Sequence, residues 1–215
     1  MALLVDFGGV LTTSVWDSFD VFCRQHGLEQ GTVKALFRDD PAAVADLREL
    51  ETGRIEEGEF ERRFAARLGL DEATDLIDSM FRGMEPEPDM VSAVSTARSA
   101  GIRTGLISDS WSTDHYDRDL LSELFDTVVI SGEVGVHKPE PEIYLIACEQ
   151  LSVEPAACVF VDDLWENCDG AEAVGMRAIL HRDPERTVAE IERILGIEVE
   201  RPSGRGEAEV ADAQS

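Results

Sequence analysis

Short apolar runs and helical stripes alternate along most of this chain. The runs at 2–6, 103–107, 127–130, 158–162 and 177–180 are mostly Val, Ile, Leu and other apolar residues. Such runs predict strands covered on both faces. Between the later ones, amphipathic spacing predicts helices at about 89–100, 140–151, 166–175 and 185–195. The helix at 140 has a clear start, with Pro139 and Pro141 followed in the first turn by Glu140 and Glu142. Gly101 and Gly175 stand where the first and third of these helices should stop. This rhythm predicts an α/β fold built on a parallel sheet.

Residues 14–89 break the rhythm. They read as helices throughout, with Phe60, Phe64, Ala65 and Leu68 at the spacing of one buried helical stripe. Because the segment interrupts the sheet after its first strand, it predicts a separate helical module over the strand ends. Arg201 to Ser215 has almost no large apolar residue and predicts a disordered tail. There is no internal repeat.

Composition narrows the function. A chain of 215 residues with 43% hydrophobic content suits one sizeable domain carrying an inserted module. No apolar run approaches the ~20 residues of a membrane span. The opening run is too short for a signal-peptide core and lacks a basic lead, so the expectation is a cytoplasmic protein. Cys23, Cys148, Cys158 and Cys168 form no CxxC pair and are expected as reduced thiols. A net charge of −26 argues against nucleic acid and anionic membranes as partners. The sequence does not indicate an oligomeric state. Of the 19 basic residues 17 are Arg, which makes Lys138, in Gly135-Val136-His137-Lys138-Pro139, stand out. A compact ammonium suits a single phosphate oxygen, whereas Arg favours a planar fork.

In an open parallel sheet, ligands bind beyond the carboxyl ends of the strands. Asp6, Ser108 and Asp162-Asp163 all fall at such ends in this reading. Gly8 and Gly9 let the backbone after Asp6 turn sharply, so that its amides can face an anion. Each feature has an ordinary explanation by itself. An Asp before Gly-Gly is a common strand end, paired acids cap helices, and a loop Ser or a Lys before Pro is usually surface. In this order, together, they point to a phosphoryl-transfer site. Asp162 and Asp163 with Asp6 suit Mg²⁺ held by carboxylates, a backbone carbonyl and water. Ser108 and Lys138 suit a transferring phosphoryl group.

These segments resemble the four motifs of the haloacid dehalogenase-like (HAD) hydrolase superfamily. The motifs are Asp6-Phe7-Gly8-Gly9-Val10-Leu11, the strand ending at Ser108, Lys138, and Val161-Asp162-Asp163. The stretches 161–176 and 135–144 look most similar to the phosphatase domain of soluble epoxide hydrolase and its bacterial single-domain relatives. The resemblance implies a Rossmann-like core of sheet order 5-4-1-2-3, made of residues 1–13 and 90–200, with 14–89 as a helical cap. It implies a Mg²⁺-dependent phosphatase acting on a small phosphorylated molecule. Asp6 would form an aspartyl phosphate, and Asp6, the Gly8 carbonyl, Asp162 and Asp163 would hold the metal. Ser108, Asp109 and Lys138 would contact the substrate phosphate.

Two positions depart from the pattern. Gly8 stands where most phosphatases of the superfamily carry an acid–base Asp, a contribution worth roughly 10²–10⁴-fold in rate. Asp109 stands where Asn is usual, so it should either turn away from the phosphate or replace the missing acid. Gly8 keeps two alternatives open: a haloacid-type dehalogenase, and a weakly active or non-catalytic phosphate-binding protein. Trp16, Trp111 and Trp165 fall near motif ends and suit either an aromatic pocket or ordinary packing. His115 and His137 lie in neighbouring loops, and Cys168 is expected in the core. Residues 40–89 hold 15 acids against six arginines, which favours a monophosphate whose remainder is neutral or cationic.

Overall fold

The apolar run at the start of the chain forms a central strand, β1 (Ala2–Val5), buried along its whole length. In the computed structural model, which describes residues 1–71, 74–112 and 116–201, the chain then leaves the sheet. It runs through five helices: α1 (Val15–Gln25), α2 (Thr32–Asp39), α3 (Pro41–Glu51), α4 (Glu57–Leu68) and α5 (Leu76–Phe81). The remainder alternates α6 (Pro88–Ser99), β2 (Arg103–Ser108), α7 (Arg118–Leu124), β3 (Thr127–Ile130) and the short α8 (Ser131–Val134). It ends with α9 (Pro141–Leu151), β4 (Cys158–Asp162), α10 (Trp165–Ala173), β5 (Arg177–Leu180) and α11 (Pro184–Leu195).

The strands form one sheet in the order β3-β2-β1-β4-β5, with every neighbouring pair parallel. This is the expected order read from the other edge, and strand limits agree with the sequence reading to within a residue. Strand alternation sends Leu3, Val5, Val159 and Val161 to one face, where they meet α6 and α11 through Met90, Ala93, Val94 and Ile191. Ala2, Leu4, Cys158 and Phe160 face the other way, onto Ile143, Tyr144 and Ala147 of α9. A sheet covered on both faces explains why its strands are almost wholly apolar. All four cysteines are buried and unpaired, Cys168 among them.

Helices α1–α5 have a core of their own. Phe19 and Phe22 of α1 meet Phe60, Phe64 and Leu68 of α4 and Ile77 and Met80 of α5. The outgoing and returning strands of chain are joined side by side: Thr12 bridges Pro86, the Thr13 N–H donates to the Glu85 carbonyl at 2.8 Å, and the Glu87 N–H donates to Leu11 at 2.8 Å. Helix α6 begins directly after this neck and packs on the sheet. The expected tail lies, beyond Arg201, outside the described residues, as does His115. Among the described residues no helix is long and apolar enough to cross a membrane.

Candidate active site

Asp6 continues the β1 ladder by donating its N–H to the Val161 carbonyl at 2.9 Å. That bond sets it beside the end of β4, where Asp162 and Asp163 follow. Lys138, from the loop between α8 and α9, places Nζ 2.6 Å from Asp6 Oδ1 and 2.8 Å from Asp162 Oδ2. Asp162 is fully buried and Lys138 and Asp6 nearly so, at 0%, 4% and 8% exposure. Buried charges at that depth require partners. Asp162 has them: its Oδ1 accepts from the Leu164 N–H at 2.8 Å, and the Asn167 amide donates to both its oxygens at 3.0 and 3.1 Å.

One ammonium does not balance the acids gathered here. Oxygens of Asp6, Asp162 and Asp163 lie within 4.8 Å of one another. Burial pushes the Asp6 carboxyl up to about 8, with Lys138 pulling the other way and Asp162 and Asp163 adding to the rise. Burial and then Asp162 lift Asp163 to about 6. Burial also works against the Lys138 ammonium, but Asp162, Asp6 and Asp109 outweigh it and hold it well above the usual lysine range. Surplus negative charge on hard oxygen donors fits a divalent cation such as Mg²⁺. Asp162 spends its oxygens on Lys138, Asn167 and Leu164, so the freer carboxylates are those of Asp6 and Asp163.

The glycines after Asp6 have separate reasons. Gly9 has φ +79°, and a Cβ there would stand 2.8 Å from Asp163 Oδ2, so the turn and the approach of Asp163 both require glycine. A Cβ at Gly8 would meet Val15 Cγ2 of α1 at 2.9 Å. Helix α1 thus occupies the space a side chain at this position would take.

Ser108 is buried, its hydroxyl 2.9 Å from the Tyr116 hydroxyl. Burial pushes the Tyr116 phenol up to about 12, so it stays protonated at neutral pH. Asp109 lines the cavity, and its Oδ1 accepts from the Lys138 N–H at 3.0 Å and ties the two loops together. His137 points at Glu140, with Nε2 3.1 Å from its carboxylate, and does not line the cavity above Asp6.

That cavity measures about 760 Å³ and lies between the strand ends and helices α1–α5, with Asp6, Ser108, Lys138 and Asp163 at its floor. Trp16 and Trp111 line it, as the aromatic-pocket alternative required. Trp165 does not: it is 57% exposed, because α10 turns Asn167 and Cys168 inward instead. Trp111 lies against Phe19, Phe37, Phe60 and Phe81 at centroid distances of 5.2 to 5.6 Å. Sequence reasoning missed Tyr116, Asn167 and Glu51. Glu51, at the end of α3, reaches the cavity, accepts a hydrogen bond from the Trp111 indole and is held well above the usual carboxylate range by burial and then by Asp109.

A five-stranded parallel sheet, with a carboxylate trio and a lysine at its carboxyl edge, defines an open α/β protein with an acidic site suited to a divalent cation. The family model of haloacid dehalogenase-like hydrolases matches residues 1–175, and the chain belongs to that family. It is 32% identical over 114 residues to bifunctional epoxide hydrolase 2 of Rattus norvegicus, a match covering 50% of this chain and 21% of that protein. It is 30% identical over 122 residues to the glyceraldehyde 3-phosphate phosphatase of Methanopyrus kandleri, covering 51% and 52%. The chain thus spans about a fifth of the length of the mammalian epoxide hydrolases it matches. A family enzyme from Bacteroides thetaiotaomicron, solved with magnesium and inorganic phosphate, shares the fold at TM-score 0.60 and 20% identity, covering 84% and 93%.

Proposed function

We propose that this hydrolase is a Mg²⁺-dependent phosphatase that cleaves a small phosphate monoester through an aspartyl phosphate on Asp6. The observation that carries the reading is the Asp6 carboxylate, 2.6 Å from the Lys138 ammonium at the floor of a cavity and within reach of two further acids. The phosphatase name of the Methanopyrus relative and the magnesium and phosphate in the Bacteroides enzyme support it.

In this reading Asp6, Asp163 and the Gly8 carbonyl hold the metal, with Asp162 in support. When bound, Mg²⁺ neutralises charge on the phosphoryl oxygens. An oxygen of Asp6 attacks phosphorus, the P–O bond to the alcohol breaks, and the departing alkoxide takes a proton from solvent. Water then attacks the phosphorus of the aspartyl phosphate, losing a proton, and Asp6 is released as a carboxylate. Lys138 offsets the charge of nucleophile and phosphoryl group, and the Ser108 hydroxyl, backed by Tyr116, donates to a phosphoryl oxygen. Asp109 keeps the Lys138 loop in place. Helices α1–α5 act as the cap, residues 14–89 of the chain, and close the cavity over the floor.

p-Nitrophenyl phosphate tests this, because its good leaving group does not need the acid absent at Gly8. The wild type should turn it over only with Mg²⁺, and Asp6→Asn should lower kcat by about 10³-fold or more. Turnover undiminished by chelation, or an active Asp6→Asn variant, would overturn the reading. Metal-independent release of halide from a 2-haloacid would favour the dehalogenase alternative.

A further inference from the structure

The space above the phosphate floor has a distinct character. Its wall is formed by Trp16, Phe19, Phe37, Leu47, Phe81 and Trp111. The rings are fixed by edge contacts among themselves: Trp16–Phe19 at 5.7 Å, Phe19–Phe81 at 5.5 Å and Phe37–Trp111 at 5.6 Å. Such an array is rigid and presents carbon to whatever enters.

Charge sharpens the picture. Lys138 is the sole cation lining the cavity among the described residues, and Asp6 and Asp162 already engage it. Lys34 lies 5.4 Å from the centre of the Trp16 ring but does not line the space. Besides Asp6 and Asp163 on the floor, the acids that line it are Glu51 and Asp109 inside and the exposed Glu85 and Glu166 at its rim. A second phosphate or a carboxylate would therefore meet carboxylates and no free cation. Sugar hydroxyls would be pressed against aromatic carbon, where an unpaired polar group is penalised. The Trp111 indole already engages Glu51, and burial and then Asp109 raise its carboxyl well above the usual range, which weakens it as a counter-charge for a cationic group.

From this cavity we infer that the substrate is a monophosphate of a bulky, uncharged, mainly apolar alcohol, whose hydrocarbon body fills the aromatic space while its phosphate rests on the floor. The inference rests on the phosphatase reading for its phosphate and on the cavity wall for its alcohol. It narrows the expectation drawn from charge along residues 40–89, which admitted a neutral or a cationic remainder. A volume of about 760 Å³ lies within the range of sites that enclose a drug-sized molecule.

The test compares n-octyl phosphate with glycerol 3-phosphate and fructose 1,6-bisphosphate on the full chain with Mg²⁺. Octyl and glycerol phosphates both release a primary alkoxide, so their ratio reports the alcohol's fit rather than its leaving ability. The expected kcat/KM advantage of the octyl ester is about 10²-fold or more, since single methylenes are worth ten-fold upward in a fitted apolar pocket. A preference for either polar substrate overturns the inference while leaving the phosphatase reading intact. Calorimetric binding of 1-octanol tests the wall without turnover, and Leu47→Glu should weaken it at least about ten-fold, one methylene's worth. Octanol bound with no ester hydrolysed would sink the phosphatase reading and keep the apolar site. Octanol unbound by the folded wild type would sink the apolar site itself.

Discussion

The floor and the wall of the cavity are built by different physics. On the floor, the charged side chains hang from strand ends or a tied loop, and the deepest of them are paired: Lys138 with Asp6 and Asp162, and Asp162 also with Asn167 and the Leu164 N–H. On the wall, rings from α1, α2, α4 and α5 surround Trp111, whose indole bonds to Glu51. The floor is specific because mispaired charge at that depth is heavily penalised. The wall is specific only through shape. In the proposed reading, the first kind of site would read any phosphate alike, and the second would decide which alcohol comes with it.

The largest effect is expected from removing the cation of the floor. Lys138→Met leaves Asp6 and Asp162 buried without their partner and should lower stability by about 3–5 kcal/mol in urea titrations run without divalent metal. Unchanged stability would mean the floor is not held by charge pairing, and the contrast with the wall would disappear. A smaller loss, about 3 kcal/mol, is expected for Trp111→Ala, which empties the space between four phenyl rings. A loss under about 1 kcal/mol, the usual size of a surface change, would show that the wall does not depend on this ring.

The smallest effect sits where the two regions meet. Glu51 has its folded-state carboxyl raised by burial and Asp109, with Lys138, Arg48 and the Trp111 indole opposing. A raised acid binds its proton more tightly in the folded protein. The wild type is therefore favoured at low pH and loses that contribution as pH climbs past the ordinary carboxylate range toward the folded value. Glu51→Gln has no proton to lose. Its Tm relative to wild type should rise between pH 5 and pH 8, and a flat or falling difference would place Glu51 among ordinary ionised surface acids.

The same contrast explains what could be read in advance. Asp6, Ser108 and Asp162-Asp163 were visible because strand period and chain order put them on one sheet edge, and Lys138 because lysine is rare here. Asn167 was legible in principle, as a polar residue on the buried side of a helix that begins just after an acidic strand end. Tyr116 and Glu51 carried no such signal. One sits in a loop eight residues past Ser108 and the other at a helix end on the far side of the cavity, and only packing between the two regions brings them in. Trp165 shows the converse: nearness to a motif in sequence did not aim its ring, because the face of α10 was already claimed by Asn167 and Cys168.

The neck at Thr12 and Pro86 carries a consequence for how such a protein can diversify. Points more than seventy positions apart in the chain are stitched into adjacent backbone, so to the sheet the whole excursion is equivalent to a tight turn. Because chain closure depends only weakly on the length enclosed, the excursion can be lengthened, shortened or exchanged without disturbing the strands beneath. A lineage could thus acquire a new appetite by swapping one graft while inheriting its reaction unchanged.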